Sequence, residues 1–176
     1  MKKEGFVKPI IVLTIICLVV SGALGYMNSI TAPIVAEAAA KKAEEARMEV
    51  LPDADSFTQI TDLSELPEAV YEAYTADNGV GSVFFVKGAG YGGEIKAIVG
   101  VSSDGLVTGA KVLEHSETAG LGARITNEDY TAQFIGKDIN LDGVDVISGS
   151  TISSKAFMKL VTAALEAQKI VSGEGA

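Results

Sequence analysis

Cysteine, histidine and tryptophan are nearly or wholly missing from this chain of 176 residues. It contains one cysteine, Cys17, one histidine, His115, and no tryptophan. A single cysteine excludes a disulfide within the chain and a zinc site built on several thiolates. Only carboxylates then remain as abundant metal ligands, and we expect no metal site.

Basic residues are also in the minority. There are 14 lysines and arginines against 23 aspartates and glutamates, which gives a formal net charge of −9. Because nucleic acids and anionic lipid surfaces repel an acidic protein, we expect neither as a partner. The hydrophobic content of 48% exceeds what one modest soluble domain needs, and the excess lies at the N-terminus.

Residues 9–27 contain no charged side chain. As a helix they extend roughly 28 Å at ~1.5 Å per residue, close to the thickness of the hydrocarbon core of a bilayer. Three lysines lie within residues 1–8 and the next is Lys41, so the positive-inside rule predicts a single-pass protein of the cytoplasmic membrane with its N-terminus inside. A cleavable signal peptide is the alternative, because Ser21 and Ala23 have the spacing of a cleavage site.

After this run, the sequence predicts first helix and then mainly strands. Residues 34–51 are rich in Ala, Glu and Lys and predict a stalk helix that follows an interruption at Pro33. Between residues 56 and 116, β-branched and aromatic runs predict a short strand, a segment at 66–76 that fits strand or helix, and three antiparallel strands joined by glycine turns.

The C-terminal part returns to helices. The pattern predicts a short helix over 127–135, a strand over 144–147 and a final helix over 152–171 with one apolar face. Strands followed by packed helices define an α+β fold. We therefore predict an antiparallel-sheet domain with packed helices, preceded by one transmembrane helix and a stalk helix.

The stretch SGSTISS, residues 148–154, places five hydroxyl groups at the start of the final helix. One interpretation is redundant capping, because one Ser or Thr at the N-cap satisfies a free backbone N–H group. The other is a phosphate site made by the N–H groups of residues 152–154 and the helix dipole, with Gly149 allowing close approach of the backbone. Phosphate binding alone does not require Thr151.

The segment DVISGST, residues 145–151, resembles the D-x-x-[S/T]-G-A-T flavinylation motif of the FMN-binding domains in Rnf and sodium-pumping NADH:quinone oxidoreductase complexes. Ser150 stands where that family usually has alanine. Three further segments resemble the same family in the same order: EVLPDAD at 49–55, GYGGEI at 90–95 and HSETAGLGARI at 115–125. The compact length after one span is more similar to the G subunit of an Rnf complex than to the C subunit of the quinone reductase.

This resemblance implies a redox subunit whose chemistry belongs to FMN, with no catalytic side chain of its own. The FMN phosphate would be joined to Thr151 as a phosphoester by a flavin transferase. The residues that the resemblance and the helix start together place around FMN are Ser148, Gly149, Ser150, Thr151, Ile152 and Lys155 at the phosphate, and Tyr91, Glu117, Thr118, Leu121 and Gly122 at the ring.

The apolar run, the stalk pattern and the resemblance together predict four segments. They are a cytoplasmic N-terminus at 1–8, a transmembrane helix at 9–30, a stalk helix at 31–52 and an FMN-binding domain at 53–176. The implied partners are the other membrane and redox subunits of an Rnf-type complex, which couples electron transfer between ferredoxin and NAD to sodium or proton movement.

Two alternatives stay open at this stage. The first is a flavinylated carrier outside an Rnf complex, either free-standing or as a C-type subunit of a sodium-pumping quinone reductase. The second belongs to another class and is a membrane-anchored scaffold or binding module, in which the SGST stretch only caps a helix.

Overall fold

The computed structural model describes residues 4–173, and for residues 4–7, 33, 34 and 36–40 it describes the backbone alone. Residues 1–3 of the expected cytoplasmic segment and residues 174–176 lie outside the described residues. The helices and strands are α1 (Glu4–Val50), β1 (Phe57–Ile60), β2 (Val70–Ala76), β3 (Gly81–Ala89), β4 (Glu94–Ser102), β5 (Val107–His115), α2 (Glu128–Thr131) and α3 (Thr151–Val171), with 3-10 turns at Gly122–Thr126 and Ala132–Phe134. The predicted α+β class is confirmed.

Helix α1 contains the apolar run. Within it, Lys8–Ala32 is long and apolar enough to cross a membrane, which fits a single-pass anchor. The helix continues through Pro33, so the predicted interruption there is wrong. A proline in a helix interior costs about 3 kcal/mol, and the long runs of helix formers on both sides outweigh it. One compact unit of the chain ends at Glu44 and a second begins at Glu45.

The five strands form one antiparallel sheet in which each strand pairs with its neighbours in the sequence, in the order β1-β2-β3-β4-β5. The ambiguous segment at 66–76 contains strand β2. The strand predicted over 144–147 is wrong, because side chains bind its backbone donors: Gln133 Oε1 accepts from the Asp145 N–H at 2.9 Å, and Ser154 Oγ accepts from the Ile147 N–H at 3.1 Å. Backbone groups satisfied in this way have no need of a neighbouring strand.

Helix α3 covers one face of the sheet with the apolar stripe that the sequence predicts. Its buried large residues are Phe157, Leu160, Val161 and Leu165, and they join strand residues such as Phe84 and Val99 in one core cluster. The short helix expected at 127–135 is α2 with the 3-10 turn that follows it. Its Phe134 packs edge-on against Phe157 with ring centroids 5.2 Å apart. These contacts fix α3 on the sheet.

The last turn of α1 packs on the other face. Gly100 and Gly109 lie opposite each other on β4 and β5, and a Cβ on Gly109 would come within 2.8 Å of the Val50 Cα. The Thr108 hydroxyl donates to the Val50 carbonyl at 2.6 Å. Gly100 alternates with Val99, which faces α3, so the missing Gly100 side chain points to the opposite face. The two glycines make room for the Val50 backbone.

We expect Gly109→Ala to lower the free energy of unfolding by about 1–3 kcal/mol, because the added methyl group collides with the Val50 backbone. Urea unfolding of the full chain in detergent, followed by circular dichroism, measures this change. Gly88→Ala on β3 is the matched control, since its methyl group meets only the end of the Leu160 side chain at 3.0 Å. Equal losses in both variants would contradict the assigned role of this contact.

Candidate functional site

A cavity of about 390 Å³ lies where the turn after β3, the loop after β5 and the start of α3 meet. This volume is within the range of small-molecule sites. The residues that line it are Tyr91, Glu117, Thr118, Leu121, Gly122, Gly149, Ser150, Thr151, Ile152 and Ser153. The structure therefore brings together all the predicted site residues except Ser148 and Lys155, which are exposed and do not line the cavity.

The carboxylate of Glu117 connects the three segments around the cavity. Its Oε1 accepts hydrogen bonds from the Tyr91 N–H at 2.8 Å and the Gly92 N–H at 3.1 Å. Its Oε2 accepts from the Ser153 hydroxyl at 2.6 Å. Glu117 is only 7% exposed, and a charge at this depth is tolerated because three donors surround it.

Two glycines make space for this carboxylate. A Cβ on Gly122 would come within 2.9 Å of both the Glu117 Cβ and the Ser153 Oγ, and a Cβ on Gly90 would overlap the Glu117 Oε1. Any larger residue at either position would displace the carboxylate from its donors. The glycines of the GYGG and GLG sequences therefore have a steric role in the site.

The hydrogen bonds of Glu117 decide its protonation state. Burial raises the pKa of this carboxyl group, because it penalises the charged form. The hydrogen bonds from Ser153, Gly92 and Tyr91, together with the nearby His115, act in the other direction and hold the pKa below its ordinary value. The carboxylate is therefore ionised at neutral pH, and the protein itself places one negative charge in the site.

Two of the five hydroxyl groups at the start of α3 are structural. Ser153 binds Glu117, as described above, and Ser154 joins the loop before α3 to the helix. The Ser154 hydroxyl donates to the Ser150 carbonyl at 2.9 Å and accepts from the Ile147 N–H at 3.1 Å. Sequence reasoning did not assign the Ser153 side chain to the site, since its partner is 36 residues away in the chain.

The hydroxyls of Ser150 and Thr151 do not share the structural role of those of Ser153 and Ser154. Ser150 is the N-cap residue of α3, yet its side chain makes no capping hydrogen bond. Its Oγ is buried and has no partner within the described part of the chain, whereas Thr151 is exposed. Among the described residues, neither Ser148 nor Thr151 caps the helix in its place. Redundant capping therefore does not explain this stretch.

The first turn of α3 also keeps free backbone donors. Its first backbone bond runs from the Ser154 N–H to the Ser150 carbonyl at 3.0 Å, so the N–H groups of residues 151–153 have no partner within the helix. The Ser154 N–H, which the sequence assigned to a phosphate site, is not free. No acidic residue lies in this turn, so the positive end of the helix dipole is available to an anion.

The residues present fit a flavin phosphate on one side and a ring on the other. The unpaired Ser150 hydroxyl and the free N–H groups suit phosphate oxygens, and Gly149 turns the chain into α3 with a φ of +81°. At the rim of the cavity, Tyr91, Leu121 and Ile152 are 71%, 51% and 59% exposed. Such exposed apolar side chains around one cavity suit a flat aromatic ligand.

The fold and the cavity define an FMN-binding domain. Residues 90–166 match the sequence profile of the FMN-binding domain family, and this range includes every residue that lines the cavity. The crystal structure of Shewanella oneidensis NqrC has the same fold. Its TM-score is 0.52 at 18% identity, over 73% of this chain and 72% of that chain.

Relatives that match most of the chain identify a narrower family among proteins with FMN-binding domains. The G subunit of the Na⁺-translocating ferredoxin:NAD⁺ oxidoreductase complex of Acetobacterium woodii is 30% identical over 92% of this chain and 91% of its own length. The G subunit of the ion-translocating oxidoreductase complex of Methanosarcina acetivorans is 36% identical over 72% and 75% of the two chains. The chain belongs to the family of G subunits of ion-translocating oxidoreductase complexes, the Rnf complexes.

We expect Glu117→Gln to remove one component of the pH dependence of stability. The pKa of Glu117 is lower in the folded state, so its carboxylate stabilises the fold at neutral pH, and this contribution is lost as the pH falls through the folded-state pKa. In the variant, the amide oxygen still accepts from both backbone N–H groups and the amide nitrogen can donate to Ser153.

Urea unfolding of the full chain in detergent at a series of acidic pH values measures this difference. The wild-type chain should lose more stability on acidification than Glu117→Gln does. Glu128→Gln, in the exposed first turn of α2, is the matched control and should follow the wild-type profile. Parallel profiles for the wild type and Glu117→Gln would show that the Glu117 charge contributes nothing.

Proposed function

We propose that this chain is a membrane-anchored electron-transfer subunit of an ion-translocating ferredoxin:NAD oxidoreductase complex, with FMN joined covalently to Thr151. Its family membership and the FMN-binding domain profile support the first part. The observation that carries the second part is the start of α3, where an exposed threonine hydroxyl adjoins free N–H groups and a cavity. These features together support electron transfer and the cofactor linkage.

The phosphate of FMN binds at the first turn of α3. The N–H groups of residues 151–153 and the helix dipole stabilise its negative charge, an effect of roughly 0.3–2 kcal/mol at a helix terminus. Gly149 keeps the approach to this turn free of a side chain. Lys155 and Ser148 lie outside the cavity lining and contribute at most to the surrounding field.

The flavin ring packs against the rim of the cavity. Leu121 and Tyr91 offer apolar surface to the ring faces, and Thr118 offers a hydroxyl to the polar edge. Bound FMN supplies the redox chemistry, because a flavin exchanges electrons one at a time. The chain itself orients the ring and sets the charge around it, where the ionised Glu117 disfavours added negative charge.

Formation of the linkage requires an activated flavin. Condensing FMN with an alcohol in water releases water and is unfavourable, so we propose a flavin dinucleotide as donor and a flavin transferase as catalyst. The Thr151 oxygen forms a bond to the phosphorus of the FMN half, and the phosphoanhydride bond breaks. The other nucleotide half of the donor leaves, and the proton of the Thr151 hydroxyl goes to a base of the transferase.

The membrane orientation is part of the same proposal. Helix α1 crosses the cytoplasmic membrane once through residues 9–30, with residues 1–8 inside and the FMN-binding domain outside. A covalent tether suits this position, because a flavin that dissociated outside the cell would be lost. The partners are the membrane and redox subunits of the complex, which the domain meets on that side.

Thr151→Val should abolish flavin attachment while the domain stays folded, because only a solvent-exposed hydroxyl is removed. Intact-mass spectrometry of protein from a host with flavin transferase measures attachment as a gain of one FMN less one water. Thr151→Ser is the matched control and should restore part of the attachment. A wild-type chain with only the polypeptide mass would refute the covalent linkage.

The orientation is tested with a membrane-impermeant maleimide on intact spheroplasts. In a Cys17→Ser background, Ser172→Cys places a thiol on the exposed end of α3, and Lys3→Cys places one before the span. We expect labelling of position 172 in intact spheroplasts and of position 3 only after permeabilisation. The reverse pattern would overturn the proposed orientation.

A further inference from the structure

Ser150 has a buried hydroxyl group that the fold does not use. Its backbone is held on both sides, since its N–H donates to the Ile147 carbonyl at 2.9 Å and its carbonyl accepts from the Ser154 N–H at 3.0 Å. The side chain of Ser150 is not held in this way. The residue is 6% exposed and lines the cavity, and none of the residues that the structure describes bonds to its Oγ.

A hydroxyl in this state is unfavourable without a ligand. A buried polar group that lacks a partner destabilises a protein, unless a water or ligand atom supplies the missing bond. Alanine at this position would remove this penalty. The hydroxyl therefore serves something other than folding.

The neighbours of Ser150 indicate which ligand atom completes its bonding. Thr151 follows it directly, and the free N–H groups of residues 151–153 line the same turn of α3. These donors all favour an acceptor with negative charge. The apolar ring contacts, Tyr91 and Leu121, belong to the other segments of the cavity. The acceptor nearest to Ser150 is then the phosphate.

The charge of Glu117 makes the Ser150 hydroxyl more important for binding a phosphate. Its ionised carboxylate binds Ser153 at the same helix start, so a phosphate there lies close to a second negative charge. Ser153 is also occupied as a donor by Glu117. An additional hydroxyl donor therefore offsets part of the repulsion between the two anions.

We propose that Ser150 donates a hydrogen bond to a phosphate oxygen of FMN, and that this bond lets the chain select FMN over flavin without phosphate. The proposal rests on the proposed function, since it requires FMN at the start of α3. It assigns Ser150 to recognition of the phosphate before and after the bond to Thr151 forms. The attachment residue remains Thr151, whose side chain is exposed.

The first test uses the full chain purified in detergent from a host without flavin transferase. Titration with FMN and with riboflavin, followed by quenching of flavin fluorescence, gives both dissociation constants. We expect Ser150→Ala to weaken FMN binding about tenfold, the loss typical of one hydrogen bond to a charged group, and to leave riboflavin binding unchanged. Ser103→Ala, an exposed serine in the turn after β4 and outside the cavity lining, should change neither.

The second test uses protein carrying the attached flavin and does not depend on free binding. The ³¹P resonance of the phosphodiester should shift between the wild type and Ser150→Ala, and should not shift in Ser103→Ala. Unchanged FMN affinity together with an unchanged ³¹P resonance would overturn the proposal, as would equal losses of FMN and riboflavin affinity. An absent FMN mass on the wild-type chain would instead refute attachment to Thr151, which the first test does not require.

Discussion

The buried carboxylate of Glu117 is the interaction on which the cavity depends. Its donors come from the turn between β3 and β4 and from α3, which are 25 to 36 residues away in the chain. The antiparallel order of the sheet brings the last residues of β3, the first of β4 and the last of β5 to the same end of the strands. The core contacts of Phe157 bring the start of α3 to that end as well. Glu117 then joins the pieces that the sheet and core have placed side by side.

This arrangement divides the hydrogen-bond donors of the site between two anions. The carboxylate takes the Ser153 hydroxyl and two N–H groups of the turn, and it leaves the backbone N–H groups at the start of α3 free. A ligand phosphate can therefore bind without competing for the donors that hold the cavity together. The protein charge and the ligand charge are stabilised by different segments, although both lie near one helix terminus.

Much of the fold was predictable because it depends on local patterns. Alternating apolar residues indicated β3, β4 and β5, and the stripe of Phe157, Leu160 and Val161 indicated α3. The strand expected at 144–147 failed because Gln133 and Ser154 side chains bind its backbone donors, which no local pattern reveals. Pro33 failed as a helix boundary because the surrounding residues are strong helix formers.

The lining of the cavity was predictable to the extent that a motif identified it. The DVISGST segment indicated Thr151 and the loop at 115–125 indicated Glu117, Thr118, Leu121 and Gly122, which all line the cavity. The sequence did not distinguish the structural hydroxyls of Ser153 and Ser154 from the free ones of Ser150 and Thr151, because that difference depends on partners brought near by the tertiary fold. The packing of Val50 on Gly100 and Gly109 was hidden for the same reason.

The incomplete bonding at the start of α3 has a consequence for the life of the protein in a cell. In the part of the chain that the structure describes, the Ser150 hydroxyl and the first backbone N–H groups of α3 have no partner, and this helix also supplies one wall of the core. The anion of the proposed attached flavin would complete that bonding and raise the free energy of opening the helix. Copies without flavin would then open more often and meet proteases sooner, so turnover would favour the flavin-loaded copies.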